Sequence, residues 1–580
     1  MENREIARLL SEVADLMEIG AEDGFRIRSY RNAASTIESY PERIEDILRN
    51  PERKVTDIPG IGKGIAAVLE EIGKRGSFEK RDLLLEQYPS TLLELLRIQG
   101  LGSKGVALLY QHYKVATIDD LERICKEQKL RELPRMGAKL EEKVLKSIAQ
   151  YRQRAGRFVL SFGQKSADEL IPYLSETGGL DQIAAAGSLR RGKDTIGDLD
   201  LLVTGPRAPE ALERFVNHPK AHAVLGKGPN KASIQYGLEG LQVDLRALPH
   251  ESYGAAMQYF TGSKEHNIQL RLRAQKLGLT LNEYGLFRVS NDERVAGETE
   301  QEVYAQLGLA WIPPELRENC GEIEAALEGR LPKLVELSDI RGDLHMHTTE
   351  TDGRATLEEM AEAARALGYE YMAITDHSKA LAMANGLDET RAVAFAKHVR
   401  ELNRNGGLGI HILSGIECDI RRDGAMDLAE DALAELDIVV ASVHSHMNLE
   451  PAEMTDRMLR AVESPNIRIL GHPTGRILMH RDAYPFDFER VAVEAARRNV
   501  YLEINASPER LDLGSALIRT AKSLGAKFAI STDAHQTKHL GFNMPFGVIT
   551  ARRGWLEPGD ILNTLSLKQL HEANIVRIKV

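Results

Sequence analysis

Three patterns of apolar and polar positions follow one another along the chain. The first is helical, because apolar residues recur at the i, i+3, i+4 spacing of a helix with one buried face: Ile6, Leu9, Leu10, Val13 and Leu16. The second alternates apolar and acidic residues over 198–203 and 241–246, as half-buried strands do. The third alternates apolar runs with amphipathic helices, such as one capped by Thr356 and Glu359. The patterns predict a multidomain protein with a helical, an α+β and an α/β region.

Composition excludes several classes of protein. The chain has 580 residues, of which 43% are hydrophobic and 28% charged, as in ordinary globular proteins. Its cysteines, Cys125, Cys320 and Cys418, form no CxxC pair, which excludes a disulfide framework and a cysteine-based zinc site. No apolar run approaches the ~18 residues of a membrane span, and the charged start lacks the features of a signal peptide. We therefore expect a cytoplasmic protein without a membrane partner.

Charge is spread unevenly. The net charge of −11 argues against a basic coat for nucleic acid. Residues 1–155, however, carry 27 basic and 26 acidic side chains, so the excess of acidic residues lies in the rest of the chain. Of the 17 histidines, 12 lie in 341–580. Histidines and acids concentrated in one region favour an oxygen- and nitrogen-ligated metal site there.

A glycine turn recurs between helices of the first region. It reads IPGIGKG at 58–64, IQGLGSK at 98–104 and, more weakly, LPRMGAK at 133–139. Glycine allows positive φ and close backbone approach, and the free N–H groups of the following helix can face an anion. The turns resemble the helix-hairpin-helix, a sequence-independent binder of the DNA backbone; a plain turn with a glycine cap is the alternative for any one copy. The residues predicted to bind DNA here are Gly60, Gly62, Gly64, Gly100, Gly102 and Lys104.

A basic cluster precedes these turns. Arg26, Arg28, Tyr30 and Arg31 lie close together and could seat the phosphate of a DNA end, or form a solvated helix face.

The middle region carries paired carboxylates. Asp198 and Asp200 are two residues apart on an apolar run, so a strand directs both to one face, where like charges need neutralisation. Asp244 alternates with apolar residues and can join them from a neighbouring strand. The turn GSLRRG at 187–192 can offer backbone amides, Ser188 and Arg191 to a triphosphate. Three such carboxylates suit a two-metal site for phosphoryl transfer, and surface loop carboxylates are the alternative.

These motifs, together with YFTGS at 259–263 and KEHNIQLR at 264–271, resemble the family X DNA polymerases over roughly residues 1–315. The resemblance implies two Mg²⁺ or Mn²⁺ held by Asp198, Asp200 and Asp244, with Asp244 accepting the primer 3′-OH proton. It implies gapped or primed duplex DNA and dNTPs as partners, a 5′-phosphate pocket with Arg26 and Tyr30, and a monovalent cation at the helix-hairpin-helix turns. It makes these residues nucleotide-binding: Gly187, Ser188, Arg191, Tyr259, Phe260, Thr261, Gly262, Asn267 and Arg271. In that family the aromatic segment crowds the sugar 2′ position, Asn267 would face the minor-groove edge of the incoming nucleotide and Arg271 the template.

One position departs from the family. Animal members carry a lysine after the first helix-hairpin-helix that forms a Schiff base and removes a 5′-deoxyribose phosphate. Val68 holds that register here, and Lys63 and Lys74 do not. Because valine cannot form an imine, we expect weak or absent lyase activity.

The third region places metal-ligand residues at the ends of apolar runs, where α/β barrels carry their active sites. A lone histidine is more often a core residue, but six run ends that coincide with such residues converge on one rim. The set is His345, His347, Asp352, His377, Glu417, His444, His472, Asp533 and His535. It resembles the PHP (polymerase and histidinol phosphatase) domain, a distorted (β/α)7 barrel. The resemblance implies a phosphoesterase with up to three Mn²⁺, Zn²⁺ or Fe²⁺, supported by Asp376, His446 and Asn505.

The two resemblances together predict a gap-filling repair polymerase with a 3′→5′ exonuclease that also acts as an abasic-site endonuclease or 3′-phosphatase. We expect a monomer associated with the nucleoid. A small-molecule phosphatase of the histidinol-phosphate type and a non-catalytic DNA-end adaptor are the alternatives. The expected domains are 1–85 (DNA-end binding), 86–155 (fingers), 156–250 (nucleotidyltransferase palm), 251–318 (thumb), 319–340 (linker) and 341–580 (PHP).

Overall fold

The structure is a computed structural model that describes residues 1, 3–40, 43–50, 53–58, 60–134, 136–154 and 156–578. Contacts within the chain divide it into two compact units, Met1–Ala155 and Gly156–Val580. Pro59 and Arg135, which belong to the first and third predicted glycine turns, lie outside the described residues.

The first unit is helical, as its periodicity predicts. The apolar positions of its first helix, from Ile6 to Leu16, are all buried, so the predicted face is the packed one. Two hydrophobic clusters fill the unit, one around the first five helices and one around the last four. The helices are α1 (Asn3–Ile19), α2 (Gly24–Ser39), α3 (Ile44–Arg49), α4 (Lys63–Arg75), α5 (Glu79–Gln87), α6 (Leu92–Leu95), α7 (Ser103–Tyr113), α8 (Ile118–Lys126) and α9 (Ala138–Arg154).

The second unit begins with a five-stranded sheet in the order β2-β4-β7-β6-β5, which we call the carboxylate sheet. Strands β4 and β7 run parallel, with Asp200 opposite Asp244. In the first half of β4, the buried Leu199 and Leu201 alternate with Asp198 and Asp200, which are exposed and half-buried. This alternation confirms the predicted period of two. The elements are β1 (Phe158–Val159), α10 (Leu160–Ser175), β2 (Gln182–Ala185), α11 (Gly187–Arg190), β3 (Thr195–Ile196), β4 (Asp198–Thr204), α12 (Ala208–Val216), β5 (Ala221–Lys227), β6 (Lys231–Tyr236) and β7 (Leu241–Leu248).

A smaller helical layer with a three-stranded antiparallel sheet follows. The segment expected to be a linker, 319–340, is packed: Glu322 is buried and Val335 belongs to the core of the following region. The elements are α13 (Tyr253–Thr261), α14 (Lys264–Lys276), β8 (Leu279–Asn282), β9 (Gly285–Arg288), β10 (Arg294–Ala296), α15 (Glu300–Gln306) and α16 (Glu322–Leu327).

The remainder is a nearly closed barrel of seven parallel strands, which confirms the predicted fold. A bridge between Met346 and Ala534 brings the first and last strands together. The strands are β11 (Gly342–Asp343), β12 (Tyr371–Ile374), β13 (His411–Asp419), β14 (Ile438–Ser442), β15 (Ile469–Leu470), β16 (Tyr501–Asn505) and β17 (Phe528–Ser531). The helices are α17 (Leu357–Ala366), α18 (Glu389–Arg404), α19 (Glu430–Leu433), α20 (Pro451–Glu463), α21 (Phe488–Arg498), α22 (Ser515–Ser523), α23 (Thr537–Arg553) and α24 (Leu567–Glu572). The predicted capping box of Thr356 and Glu359 begins α17.

Short 3₁₀ turns connect these elements at Val55–Asp57, Leu130–Glu132, His250–Ser252, Pro314–Leu316, Leu337–Asp339, Ala382–Ala384, Pro558–Asp560 and Leu562–Thr564. Among the described residues, no helix combines the length and the apolar character needed to cross a bilayer.

Candidate active sites

The first two glycine turns present open backbone. Gly60 and Gly100 have φ of 86° and 98°, a conformation that favours glycine. A Cβ added at Gly62, Gly64 or Gly102 would meet nothing within 4 Å, so a ligand can approach the backbone at the start of α4 and α7. This geometry fits the predicted phosphate contacts. The exposed side chain of Lys104 lies in the first turn of α7.

The predicted end-binding cluster is divided between surface and core. Arg26 is exposed, whereas Tyr30 is 7% exposed and stacks on Phe78 with ring centroids 6.1 Å apart. Burial raises the pKa of the Tyr30 hydroxyl. Val68, at the family's lysine position, packs against the core of the unit, and the ammonium groups of Lys63 and Lys74 lie on exposed side chains.

The three acids predicted to bind metal come together on the carboxylate sheet. Asp198 is exposed, Asp200 is half-buried and Asp244 is 5% exposed. Burial, reinforced by the charges of Asp198 and Asp244, raises the pKa of Asp200 to about 6. The sheet thus holds mutually repelling carboxylates, which is the arrangement that divalent cations neutralise.

Two side chains partly offset this charge. Lys231 Nζ lies 2.5 Å from Asp244 Oδ2, and Gln242 Nε2 donates to Asp244 Oδ1 at 3.2 Å. Although burial opposes ionisation, hydrogen bonds from Lys231, Ser233 and Gln242 lower the pKa of Asp244. The lysine therefore occupies a carboxylate oxygen that a cation would need.

The glycine turn of the predicted triphosphate site lies directly beside these acids. Gly187 has φ of 62°, and a Cβ there would lie 2.7 Å from Asp200 Oδ2, so only glycine lets the turn approach this closely. The half-buried Ser188 follows in α11. Arg191 is engaged by protein groups: its Nε donates to Glu318 Oε1 at 3.0 Å and its Nη1 to the carbonyl of Thr261 at 2.7 Å.

The neighbouring arginine holds the turn from another side, a role that the sequence analysis missed. Arg190 forms two hydrogen bonds to the Glu300 carboxylate, at 2.9 and 2.7 Å, and one to Thr261 Oγ1 at 2.7 Å. The two adjacent arginines therefore bind different carboxylates, Arg190 that of Glu300 and Arg191 that of Glu318.

The predicted sugar-facing segment ends α13. Tyr259 and Phe260 are half-buried, with ring centroids 5.1 Å apart, and Thr261 and Gly262 are buried. Asn267 of α14 is tied to this segment, because its Nδ2 donates to the carbonyl of Tyr259 at 2.7 Å. Arg271, one turn further along α14, is exposed.

Nine predicted ligands meet at one end of the barrel, around the 1% exposed carboxylate of Glu417. Its oxygens lie close to five imidazole nitrogens: His377 Nδ1 (2.8 Å), His472 Nε2 (3.0 Å), His444 Nε2 (3.3 Å), His345 Nε2 (3.5 Å) and His347 Nε2 (3.7 Å). Asp352 and Asp533 continue the cluster, since His347 Nε2 is 3.2 Å from Asp533 Oδ1 and His535 Nε2 is 3.5 Å from Asp352 Oδ1. Glu417 lies inside β13 rather than at its end, because β13 pairs with β12 over its first half and with β14 over its second.

The donor atoms of this cluster fit metal ions. Ligand atoms lie within 4.8 Å of one another in three overlapping groups: His347, Asp352, His377 and His535; His345, His347 and Asp533; His377, Glu417 and His444. Among the described residues, the buried His345 Nε2 and both ring nitrogens of His347 make no hydrogen bond. A buried nitrogen without a partner is costly unless a ligand satisfies it.

A carboxylate that the sequence analysis missed orients the cluster. Glu503 of β16 accepts from His345 Nδ1 at 2.7 Å and from the backbone N–H of His472 at 2.6 Å. This bond fixes the tautomer of His345 and leaves Nε2 to face the centre. Asp419 holds His444 in the same way, at 3.2 Å. The only sequence signal for Glu503 is an acid in the middle of an apolar strand.

The predicted supporting residues behave differently from one another. Asn505 Nδ2 donates to Asp533 Oδ2 at 3.0 Å, and Asp376 accepts from Thr348 and Thr351 next to the cluster. His446 does not support the site: its side chain is exposed, because the chain turns outward there with φ of 51°.

Charge within the cluster is strongly coupled. Although burial opposes it, the carboxylates of Glu417 and Asp352 raise the pKa of His377 to about 10. Burial and the neighbouring imidazoles of His535 and His377 lower the pKa of His347 to about 3. The pKa of Glu417 is well below its ordinary range despite burial, because His444 and His345 lie beside it. These opposed shifts follow from carboxylates and imidazoles packed side by side, and a cation that binds them would displace protons from the imidazoles.

Comparison with known proteins covers almost the whole chain. Family models match as follows: Helix-hairpin-helix domain, residues 1–78; SAM-like Helix-hairpin-helix tandem, 92–150; DNA polymerase beta thumb, 256–318; PHP domain, 343–507. The chain is 36% identical over 571 residues to a Bacillus subtilis protein named DNA polymerase/3'-5' exonuclease PolX, covering 98% of this chain and 99% of that protein. It is 33% identical over 221 residues to a Shewanella oneidensis protein named Probable phosphatase, covering 36% of this chain and 82% of that protein. It is 26% identical over 347 residues to Arabidopsis thaliana DNA polymerase lambda, covering 54% and 62% of the two chains.

Proposed function

Because the chain belongs to the family X DNA polymerases that carry a C-terminal PHP domain, we propose that it extends primers across gaps in duplex DNA and also degrades primer 3′ ends. Polymerisation takes place at the carboxylate sheet and 3′→5′ hydrolysis at the barrel. The observation that carries the proposal is that one compact unit holds two separate acidic sites: the barrel cluster, with its three groups of metal-ligand atoms, and the carboxylate sheet, where β4 and β7 bring Asp200 opposite Asp244. A non-catalytic adaptor has no need of either.

At the carboxylate sheet, Asp198, Asp200 and Asp244 hold two Mg²⁺ or Mn²⁺. When bound, the cations neutralise the triphosphate and align the in-line displacement. The amides of the Gly187 turn and Ser188 bind the triphosphate, and Asp244 accepts the proton of the primer 3′-OH.

Three further sets of residues position the substrates. The segment of Tyr259, Phe260, Thr261 and Gly262 faces the sugar, while Asn267 and Arg271 of α14 face the base and the template. Arg191 reaches the triphosphate by exchanging or sharing its bond to Glu318.

At the barrel, the nine-residue cluster holds up to three divalent cations of the Mn²⁺, Zn²⁺ or Fe²⁺ class. When bound, they activate water and stabilise charge on the phosphoryl group. Glu417 would hold a cation together with His377 and His444, Glu503 fixes the orientation of His345, and Asn505 fixes that of Asp533. Burial of the central ligands Glu417, His345 and His347 keeps them from forming competing bonds to bulk water.

The helix-hairpin-helix turns hold DNA by backbone amides with few side-chain charges, together with a monovalent cation. We therefore expect modest affinity and a shallow salt dependence. Gap binding at Arg26 and Tyr30 proceeds without a lyase step, since Val68 cannot form an imine; trapping with borohydride should yield no enzyme–DNA adduct. We expect the protein to act in the cytoplasm, in association with the nucleoid.

A second activity of the barrel is removal of 3′ phosphates. The resemblance of this region to a protein named Probable phosphatase favours it, because a metal cluster that activates water can attack a phosphate monoester as well as a diester. Histidinol phosphate is a test substrate for the small-molecule alternative, and its hydrolysis without DNA hydrolysis would support that alternative.

One experiment tests the main proposal. The protein is incubated with a gapped duplex whose primer is labelled at its 5′ end, with Mn²⁺, in the presence and absence of dNTPs. We expect longer products with dNTPs and shorter products without them. A primer of unchanged length under both conditions contradicts the proposal.

A further inference from the structure

The last turn of α23, a barrel helix, lies against the triphosphate-binding turn of the carboxylate sheet. Arg553 ends this helix and is 7% exposed. Its Nη1 donates to the backbone carbonyl of Arg191 at 2.7 Å and lies 3.2 Å from Glu318 Oε1. A barrel residue therefore contacts the same peptide that carries the predicted triphosphate-binding arginine.

Glu318 is shared between the two arginines. Its Oε1 accepts from Arg191 Nε at 3.0 Å as well as from Arg553, and Lys193 Nζ lies 3.7 Å away. Although burial opposes ionisation, Arg191, Arg553 and Lys193 lower the pKa of Glu318. Arg191 in turn donates to the carbonyl of Thr261, in the sugar-facing segment. These bonds form an unbroken path from α23 to both substrate-facing segments.

Packing holds the same turn in place. Gly192 has φ of 65°, and a Cβ there would lie 2.0 Å from Ile549 Cγ2, so α23 lies directly on the backbone of the turn. Two residues further on, Asp194 accepts from Arg476 Nη2 at 2.9 Å. The turn is therefore fixed from the barrel side at successive residues.

We propose that Arg553 is a positioning residue for the polymerase reaction. It fixes the Arg191 peptide and the Glu318 carboxylate, so that the turn and the Arg191 guanidinium are set for the triphosphate before a nucleotide binds. Pre-ordering a binding group lowers the conformational cost of binding. The inference rests on the proposed nucleotide site, and it assigns part of that site to the barrel.

Arg552 provides a matched control. It is the preceding residue of the same helix and also bridges the two regions, but its Nε donates to Glu315 at 2.7 Å and its Nη1 to the Val335 carbonyl. A general role in holding the regions together predicts equal effects of replacing either arginine. A positioning role predicts that only Arg553 affects the nucleotide.

The test compares Arg553→Met, Arg553→Lys and Arg552→Met in the full chain. The KM for dNTP and kcat are measured on a gapped duplex, and exonuclease on the same primer without dNTPs. We expect Arg553→Met to raise the KM for dNTP roughly 10-fold, the scale of losing one charge-assisted hydrogen bond. Exonuclease should stay within about twofold, and Arg553→Lys should recover at least part of the loss by restoring a donor.

Two results would contradict the positioning role of Arg553. An unchanged KM in Arg553→Met, or an equal rise in Arg552→Met, would overturn the proposal. Because KM does not depend on the active fraction, poor folding of a variant does not obscure the result. If the unsubstituted protein fails to extend primers, the proposed function fails, and isothermal titration of dATP with Ca²⁺ still decides whether Arg553→Met weakens nucleotide binding.

Discussion

The carboxylate sheet and the barrel cluster differ in how far the fold alone assembles a metal site. In the barrel, Glu417 is buried and close to five histidines, and the cluster is braced by Glu503, Asp419 and Asn505. On the sheet, Asp198 is exposed, Asp200 is half-buried and Lys231 already occupies an oxygen of Asp244.

The difference fits the substrates proposed for the two sites. A hydrolytic site needs only water and a chain end, so its ligand set can be completed in advance. A nucleotide brings its own phosphate ligands, so a polymerase site can remain open and incompletely neutralised until substrate arrives. We therefore expect the pre-assembled ligand residues of the barrel and the open carboxylates of the sheet to respond differently to substitution, to pH and to cation concentration.

The largest expected effects are losses of one activity without the other, because the two sites are separate. Asp198→Ala should lower primer extension by about 10³-fold or more, because it removes a ligand of the charge-stabilising cations, and leave exonuclease intact. His345→Ala should do the reverse. Both are read on one gel, and each variant is the control for the other. Loss of both activities from either change would show that the sites are coupled.

The next largest effect concerns Glu503, which orients His345 in the barrel cluster. Glu503→Gln should lower exonuclease and Mn²⁺ affinity by roughly 10- to 100-fold, the usual cost of losing a carboxylate that orients a ligand histidine. Titration with Mn²⁺ measures the affinity. Glu489→Gln, on the exposed face of α21, serves as the control. A matching fall in primer extension would indicate general destabilisation instead.

A pH-dependent stability effect should appear at the carboxylate sheet. The pKa of Asp200 is raised to about 6, so its ionised form costs stability above that pH. Between pH 3.8 and 6 the folded state retains a proton that the unfolded state has lost, and stability falls as pH rises through this window. Asp200→Asn should therefore stabilise at pH 8 by on the order of 1 kcal/mol and make little difference at pH 4.

Thermal unfolding with and without Mg²⁺ measures this effect. The cation should stabilise the unsubstituted protein at pH 8 more than Asp200→Asn, because it removes the same repulsion. Asp198→Asn, at the exposed carboxylate, is the control and should shift less. Equal shifts for the two variants would mean that burial of Asp200 is not the cause.

The smallest effect concerns competition for Asp244. Because Lys231 lies 2.5 Å from Asp244 Oδ2, Lys231→Met should lower the Mg²⁺ concentration for half-maximal extension by about two- to fivefold. Lys227→Met, whose partner is the exposed Glu213, is the matched control. A higher Mg²⁺ requirement in Lys231→Met would show that the lysine assists the nucleotide rather than competing with the cation.

The sequence predicted most of what local pattern determines. The period of two in β4 and β7 predicted that Asp198, Asp200 and Asp244 share a face, and the register of Asp200 with Asp244 confirms this. Acids and histidines at successive run ends predicted the barrel cluster, because parallel strands direct their carboxyl ends to one rim.

What the sequence left unpredicted depends on contacts between distant segments. Glu503 becomes important only because the barrel closes between its first and last strands, which brings β16 round to His345. The engagement of Arg191 depends on Glu318, 127 residues away. The prediction that His446 supports the cluster was wrong. His446 is close to His444 in sequence, but this does not determine where its side chain points, because the loop turns there.

The packing of α23 and of the loop between β16 and α22 against the carboxylate sheet has a consequence for folding. Leu511 and Phe546 belong to the barrel in sequence but complete the hydrophobic cluster beneath the sheet, at 0% and 5% exposure. The interior beneath the sheet is thus shared between the two regions. Residues 156–580 should consequently melt as one calorimetric transition, and a chain cut after residue 318 should expose that interior and aggregate.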